Sequence, residues 1–181
     1  MGDCRRVGVA VDFSPCSRKA LKWAVDNISR SGDHLILVTV RPEGHYEEAR
    51  CSSGRPPVLL IRPSLASFPL LGVMVIKETA LIPLLEFSEP HIMKKYGVNP
   101  DPETLDIVAT ASRQKEITVL LKIYWGDARE KLCESIDNIP LDCLIIGNRG
   151  LGKLKRVIMG SVSNYVVSNA TCPVTVVKSH D

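Results

Sequence analysis

The 181-residue sequence is poor in aromatic side chains, which make up 5% of it, and holds four histidines, scattered at His34, His45, His91 and His180. None of these accompanies a Ser or Cys motif of the nucleophile-elbow kind, so a hydrolytic triad has no support. The six cysteines (Cys4, Cys16, Cys51, Cys133, Cys143 and Cys172) include no C-x-x-C pair and no histidine at zinc spacing, so reduced thiols are expected rather than a metal centre or a disulfide framework. Charge of one sign is missing too. With 23 basic and 20 acidic residues the net charge is +3, which gives no general case for nucleic acid or an anionic membrane. In the apolar segment 56 to 76 the longest uncharged stretch, residues 63 to 76, is shorter than the roughly 20 apolar residues of a membrane helix and contains proline. The opening Met-Gly-Asp-Cys-Arg-Arg has neither an apolar signal core nor Ser or Thr where a myristoylation signal needs it, and a cytoplasmic location is expected.

What is present is the composition of a packed globule, 45% hydrophobic and 24% charged. Val7 to Val11 is a short apolar run of the kind a strand buried on both faces needs. Asp12-Phe13-Ser14-Pro15 then reads as a turn into a helix, with Ser14 as N-cap and Pro15 in the first turn. Ala20, Leu21, Ala24, Val25 and Ile28 recur at helical spacing, and His34 to Val40 is a second buried strand. A helix opening at Asp101-Pro102 carries Leu105, Val108, Ala109 and Ser112 on one side. From Thr118 the alternation resumes: Thr118 to Tyr124 as strand, Asp127 to Asn138 as helix, Cys143 to Ile146 as strand, Ser161 to Asn169 as helix, and Val174 to Val177 as strand. Five strands joined through helices imply a doubly wound, mostly parallel sheet, with ligands at the carboxyl ends of its strands. Residues 41 to 100 break this rhythm, and residues 49 to 80 form a proline-rich apolar insertion in what is otherwise expected to be one domain over 1–181.

Chemistry concentrates where Cys143 to Ile146 runs into Gly147-Asn148-Arg149-Gly150-Leu151-Gly152-Lys153, after which Gly160-Ser161 opens a helix. A buried strand, a glycine-rich loop and a helix N-terminus supply bare N–H groups, close approach without Cβ, and a favourable dipole, which is what a phosphate needs; such turns also simply reverse chains. A P-loop is disfavoured, because Leu154 stands where Ser or Thr would hold Mg²⁺, and the dinucleotide fingerprint fails at Lys155. Lys153, Lys155 and Arg156, with Arg129 and Lys131, could face RNA, but no aromatic stacking module accompanies them, so nucleic acid is disfavoured. The carboxylates of the 127–137 segment read as an N-cap at Asp127 and a solvated face with pairs such as Asp127 and Lys131, rather than acid and base.

The spacing that fits is Gly147-x-x-Gly150, nine residues, Gly160-Ser161. It resembles the G-x2-G-x9-G-[ST] signature of ATP-binding universal stress proteins, and Val9 to Ser14 resembles that family's first strand and ribose-contacting turn. The resemblance covers residues 5 to 40 and about 87 to 178 and is closest to single-domain plant members; the 49–80 insertion departs from it and follows the adenine-side wall. It implies a Rossmann-like α/β fold with strand order 3-2-1-4-5, helices on both faces, and a homodimer. It also implies ATP or AMP, with or without Mg²⁺, as ligand. Adenine would lie near Asp12 and Val40, ribose and phosphate at Gly147, Arg149 and Gly150, and phosphates at Gly160, Ser161, Val162 and Ser163. The function expected is a nucleotide-dependent stress or signalling protein with at most slow ATP hydrolysis, no assigned catalytic residue and no metal ligand. A slow ATPase or adenine-nucleotide hydrolase on the same fold, and a nucleotide-free interaction or chaperone-like protein, are the alternatives. The apolar edge strand at 174–177 is the expected dimer contact.

Overall fold

The computed structural model describes residues 4–42, 80–148 and 160–178. Along these the chain forms β1 (Arg6–Ala10), α1 (Pro15–Asn27), β2 (His34–Arg41), β3 (Ile82–Pro83), α2 (Leu84–Phe87), α3 (Pro90–Lys94), α4 (Pro102–Lys115), β4 (Thr118–Trp125), α5 (Ala128–Asn138), β5 (Cys143–Asn148), α6 (Ser161–Asn169) and β6 (Val174–Lys178). The strands make one sheet of order β3-β4-β2-β1-β5-β6. Every pairing is parallel except β3 with β4. Counted in chain order, the five parallel strands run 3-2-1-4-5, as the resemblance implied. The sixth strand was not anticipated. Two residues are too few for a periodicity, and Pro83, which has no N–H to donate, is tolerated because the strand lies at the edge.

Two apolar layers flank the sheet. On one face Leu35, Leu37 and Ile145 pack with Leu21 and Ala24 of α1, Val108 of α4, Phe87 of α2 and Met93 of α3. On the other, Ile36, Val38, Leu144 and Ile146 pack with Leu132 and Ile136 of α5 and Val166 of α6. Buried residues alternate between these layers along each central strand, as the period of two in a strand requires. At Gly8 the second layer closes so tightly that a Cβ would stand 2.5 Å from Leu141 Cδ1.

The helix starts follow the sequence. Ser14 caps α1 by accepting the Ser17 N–H, and Asp101 caps α4 by accepting that of Thr104; each helix has proline in its first turn. On α4 the buried residues are Thr104, Val108 and Ala111, so the buried face is turned from the one expected, with Leu105 partly buried beside it. The short helices α2 and α3 fill part of the region that breaks the rhythm, and Phe87 and Met93 anchor them in the core. The 49–80 insertion, apart from its last residue, lies outside the described residues.

Leu37 is 0% exposed and Leu85 is 84% exposed. Leu37→Ala should therefore lower the unfolding free energy by about 2–5 kcal/mol, and Leu85→Ala should change it by less than about 0.5 kcal/mol, in urea titrations followed by circular dichroism.

Candidate functional site

The chain lays strands outward from β1 to β2 and β4, then returns to lay β5 and β6 on the other side. Beside β1 the connections therefore leave in opposite directions, and a crevice opens at the carboxyl ends of the strands. Ala10 ends β1 there and Val11 and Asp12 follow it, Val38 and Val40 come from β2, and Ile146 and Gly147 from β5.

The turn after β1 is held from several sides. Asp12 Oδ1 accepts the Ser14 N–H at 3.1 Å, and the Asp12 N–H donates to Ser17 Oγ at 3.4 Å. Between them Phe13 sits at φ 60°, a left-handed conformation that a bulky residue adopts only where its surroundings hold it. Arg18 is one such restraint: Nη1 donates to the Phe13 carbonyl at 3.0 Å and to Asp101 at 3.3 Å, while Nε pairs with Glu103 at 2.7 Å.

Across the crevice α6 begins at Gly160, which supplies no side-chain cap. The Gly160 N–H instead donates to Asn148 Oδ1 at 3.0 Å, and the Ser163 hydroxyl donates to the Gly160 carbonyl at 3.0 Å. Gly160 has φ −58° and ψ 152°, which any residue can adopt, and a Cβ there would meet nothing nearer than 3.5 Å. The folded chain by itself thus has no need of glycine at this position. Gly147 is the opposite case. A Cβ on it would lie 2.6 Å from the Cys16 carbonyl oxygen and 3.3 Å from the Ser17 nitrogen, so its bareness lets β5 pass against the first turn of α1.

Between these elements lies a cavity of about 440 Å³, within the range of about 300–1,000 Å³ usual for small-molecule sites. Val38, Val40, Leu132, Ile146 and Val162 give it an apolar wall, and Asp12, Ser14, Ser17, Ser161 and Ser163 give it polar groups. Of the site residues expected from sequence, Asp12, Val40, Gly147, Gly160, Ser161, Val162 and Ser163 all line it. Arg149 and Gly150 lie outside the described residues, as do Lys153, Lys155 and Arg156. Sequence reasoning passed over Asn148, Cys16, Ser17 and Leu132. Only Asn148 carried a signal, a polar residue two places beyond Ile146 on a buried strand.

The model of the universal stress protein family matches residues 4–67 and 70–178. The chain belongs to this family. It is 29% identical to the universal stress protein PHOS34 of Arabidopsis thaliana, with 99% of this chain and 64% of that protein covered. Against PHOS32 of the same plant the identity is 30%, over 99% of this chain and 67% of that protein. The chain thus spans about two thirds of the length of these relatives. Among solved structures, a universal stress protein of Arabidopsis thaliana with AMP bound superposes with a TM-score of 0.53 at 19% identity, over 97% of this chain and 92% of that one. A universal stress protein in complex with cAMP superposes with a TM-score of 0.52 at 18% identity, over 97% and 98%. At such identities the likeness establishes the fold.

In this family member a third helix also starts at the crevice, since Ala128 and Leu132 of α5 line the cavity. Its N-cap is Asp127, which accepts the Arg129 N–H at 2.8 Å. The carboxylate pairs with the Arg129 guanidinium at 2.6 Å, and Lys131 pairs with Glu134 at 2.5 Å, so the expected Asp127–Lys131 pair is replaced by these two. The side-chain hydrogen bond from Arg129 holds the Asp127 carboxyl down at about 2. What this exposed cap contributes is therefore complete above the ordinary carboxylate range and lost as the pH falls through about 2. Among the described residues, no cluster of His, Cys, Asp or Glu could hold a metal, and no helix is long and apolar enough to cross a membrane.

The close approach at Gly147 is a backbone contact that no rotamer change relieves. Gly147→Ala should destabilise the fold by about 2 kcal/mol or more, measured as a lowered urea midpoint, whereas Gly160→Ala should be close to neutral for stability.

Proposed function

We propose that the chain binds an adenine nucleotide, ATP or AMP, in the crevice at the carboxyl ends of β1, β2 and β5, and acts in the cytoplasm as a nucleotide-dependent switch in stress response or signalling. The observation that carries this reading is the start of α6: a helix with a glycine N-cap and no side-chain cap, its first turn lining a cavity whose far wall is apolar. A helix N-terminus attracts anions through its unshared N–H groups and its dipole, and an apolar wall suits a purine. In this reading the phosphates rest on Gly160, Ser161 and Val162, with Ser163 below them. The ribose and nearest phosphate lie along Gly147 toward Arg149 and Gly150, and the base lies between Asp12 and Val40. The AMP and cAMP bound to the two superposed family structures support the same ligand class. Mg²⁺, where ATP carries it, would arrive with the triphosphate.

Residues 1–181 act as one domain in this reading, and a second copy joins at β6. That strand ends the sheet order, and Val174 to Val177 are each only half-buried, so its outer edge is available to pair in a two-fold contact.

Calorimetric titration with ATP, AMP and adenosine tests the ligand. Ser161→Ala should weaken ATP and AMP about ten- to a hundredfold and spare adenosine, since a lost hydrogen bond to a charged group is worth about 1.5–3 kcal/mol. Gly160→Val should do more, and Asp12→Ala should weaken all three. Adenosine losing as much as AMP in Ser161→Ala would contradict the assignment of the phosphate end. For the dimer, light scattering at micromolar concentration should give about twice the chain mass, falling to one chain mass in Val176→Lys. A wild-type monomer would remove that contact.

A further inference from the structure

Two of the three helices that begin at the crevice are closed by side chains of their own, Ser14 on α1 and Asp127 on α5. The third, α6, has a glycine N-cap and is held from another element, by Asn148 at the end of β5. Asn148 stands two residues beyond Ile146 and so on the same face of the sheet, toward α6. It is 8% exposed, and its Oδ1 accepts the N–H of Gly160 itself. That N–H precedes the helix, so the bond fixes where α6 starts without using the N–H groups of Ser161, Val162 and Ser163. Its oxygen belongs to a neutral amide, which brings no charge to the place where an anion would bind.

We propose that Asn148 is a positioning residue for the phosphate end of the site, fixing the start of α6 while keeping it uncharged; this takes the nucleotide site above as given. The chemistry makes Asn148→Asp the decisive change. A carboxylate has the same shape, accepts the same N–H, and is itself favourable at a helix N-terminus, so the fold should be as stable or slightly more stable. The same negative charge, in a partly buried place beside the phosphate position, repels every anionic ligand. Stability and affinity thus move in opposite directions, which the loss of a merely structural contact would not do.

The test measures urea unfolding and calorimetric affinity for adenosine, AMP and ATP in the wild type, Asn148→Asp and Asn148→Ala. In Asn148→Asp the urea midpoint should hold or rise and adenosine affinity should stay within about threefold, while AMP falls about tenfold or more and ATP falls further. Asn148→Ala should speed hydrogen exchange of the Gly160 amide and weaken AMP without this dependence on ligand charge. A folded Asn148→Asp protein that binds AMP as tightly as the wild type overturns the proposal and leaves the nucleotide site standing. Should Asn148→Asp not fold, unchanged Gly160 exchange and unchanged AMP affinity in Asn148→Ala would overturn it equally. A wild type that binds none of the three ligands overturns the nucleotide reading, and this proposal with it.

Discussion

Beside β1 the chain changes the side on which it lays down strands, and the site depends on the contact that this change forces. β5 must run next to β1 while α1, which leaves β1, crosses the same end of the sheet. The two meet at Gly147, where the strand passes the Cys16 carbonyl too closely for any Cβ. A residue placed by sequence among phosphate contacts is therefore first a packing requirement. Because β5 passes so close, the turn into α1 and its first residues bring Asp12, Ser14 and Ser17 to one wall of the cavity, while β5 brings Ile146 and Gly147 to another and, through Asn148, holds Gly160.

From that contact follows an unequal treatment of helix ends. Three N-termini with the same partial positive charge face one crevice, and the sequence satisfies two of them internally. At the third it places a glycine that neither backbone dihedral angles nor packing demands. Such a position gains nothing for the fold and leaves space for a ligand. The turn opposite is the rigid partner: Phe13 stays left-handed because Arg18 ties its carbonyl toward Asp101, the N-cap of α4. Strain on one side of the cavity and an uncapped helix on the other are both features that a bound ligand can use.

Much of this was legible in the sequence for identifiable reasons. The buried parallel strands announced themselves as short apolar runs, and the caps at Ser14, Asp101 and Asp127 were read from a polar residue ahead of a helical period. Strand order came with the family resemblance rather than from any local pattern. β3 and the short helices α2 and α3 were not legible, being shorter than the period that would reveal them. The Asp127–Lys131 pairing failed because Arg129, whose N–H the cap already holds, is the nearer cation. Asn148 was hidden by its setting among glycines: its role depends on a partner twelve residues away, and only the fold brings the two within 3.0 Å.

The claim on which the rest hangs is that the first turn of α6 receives phosphate while Val40 faces the base. It is tested most directly by following backbone amides and valine methyls by nuclear magnetic resonance as AMP is added. The account requires that the Ser161 and Val162 amide signals move on saturation and that the adenine protons show through-space contacts to Val40 methyls. Signals from these residues that stay in place at saturating AMP, or contacts of the base to another face of the sheet, would contradict it.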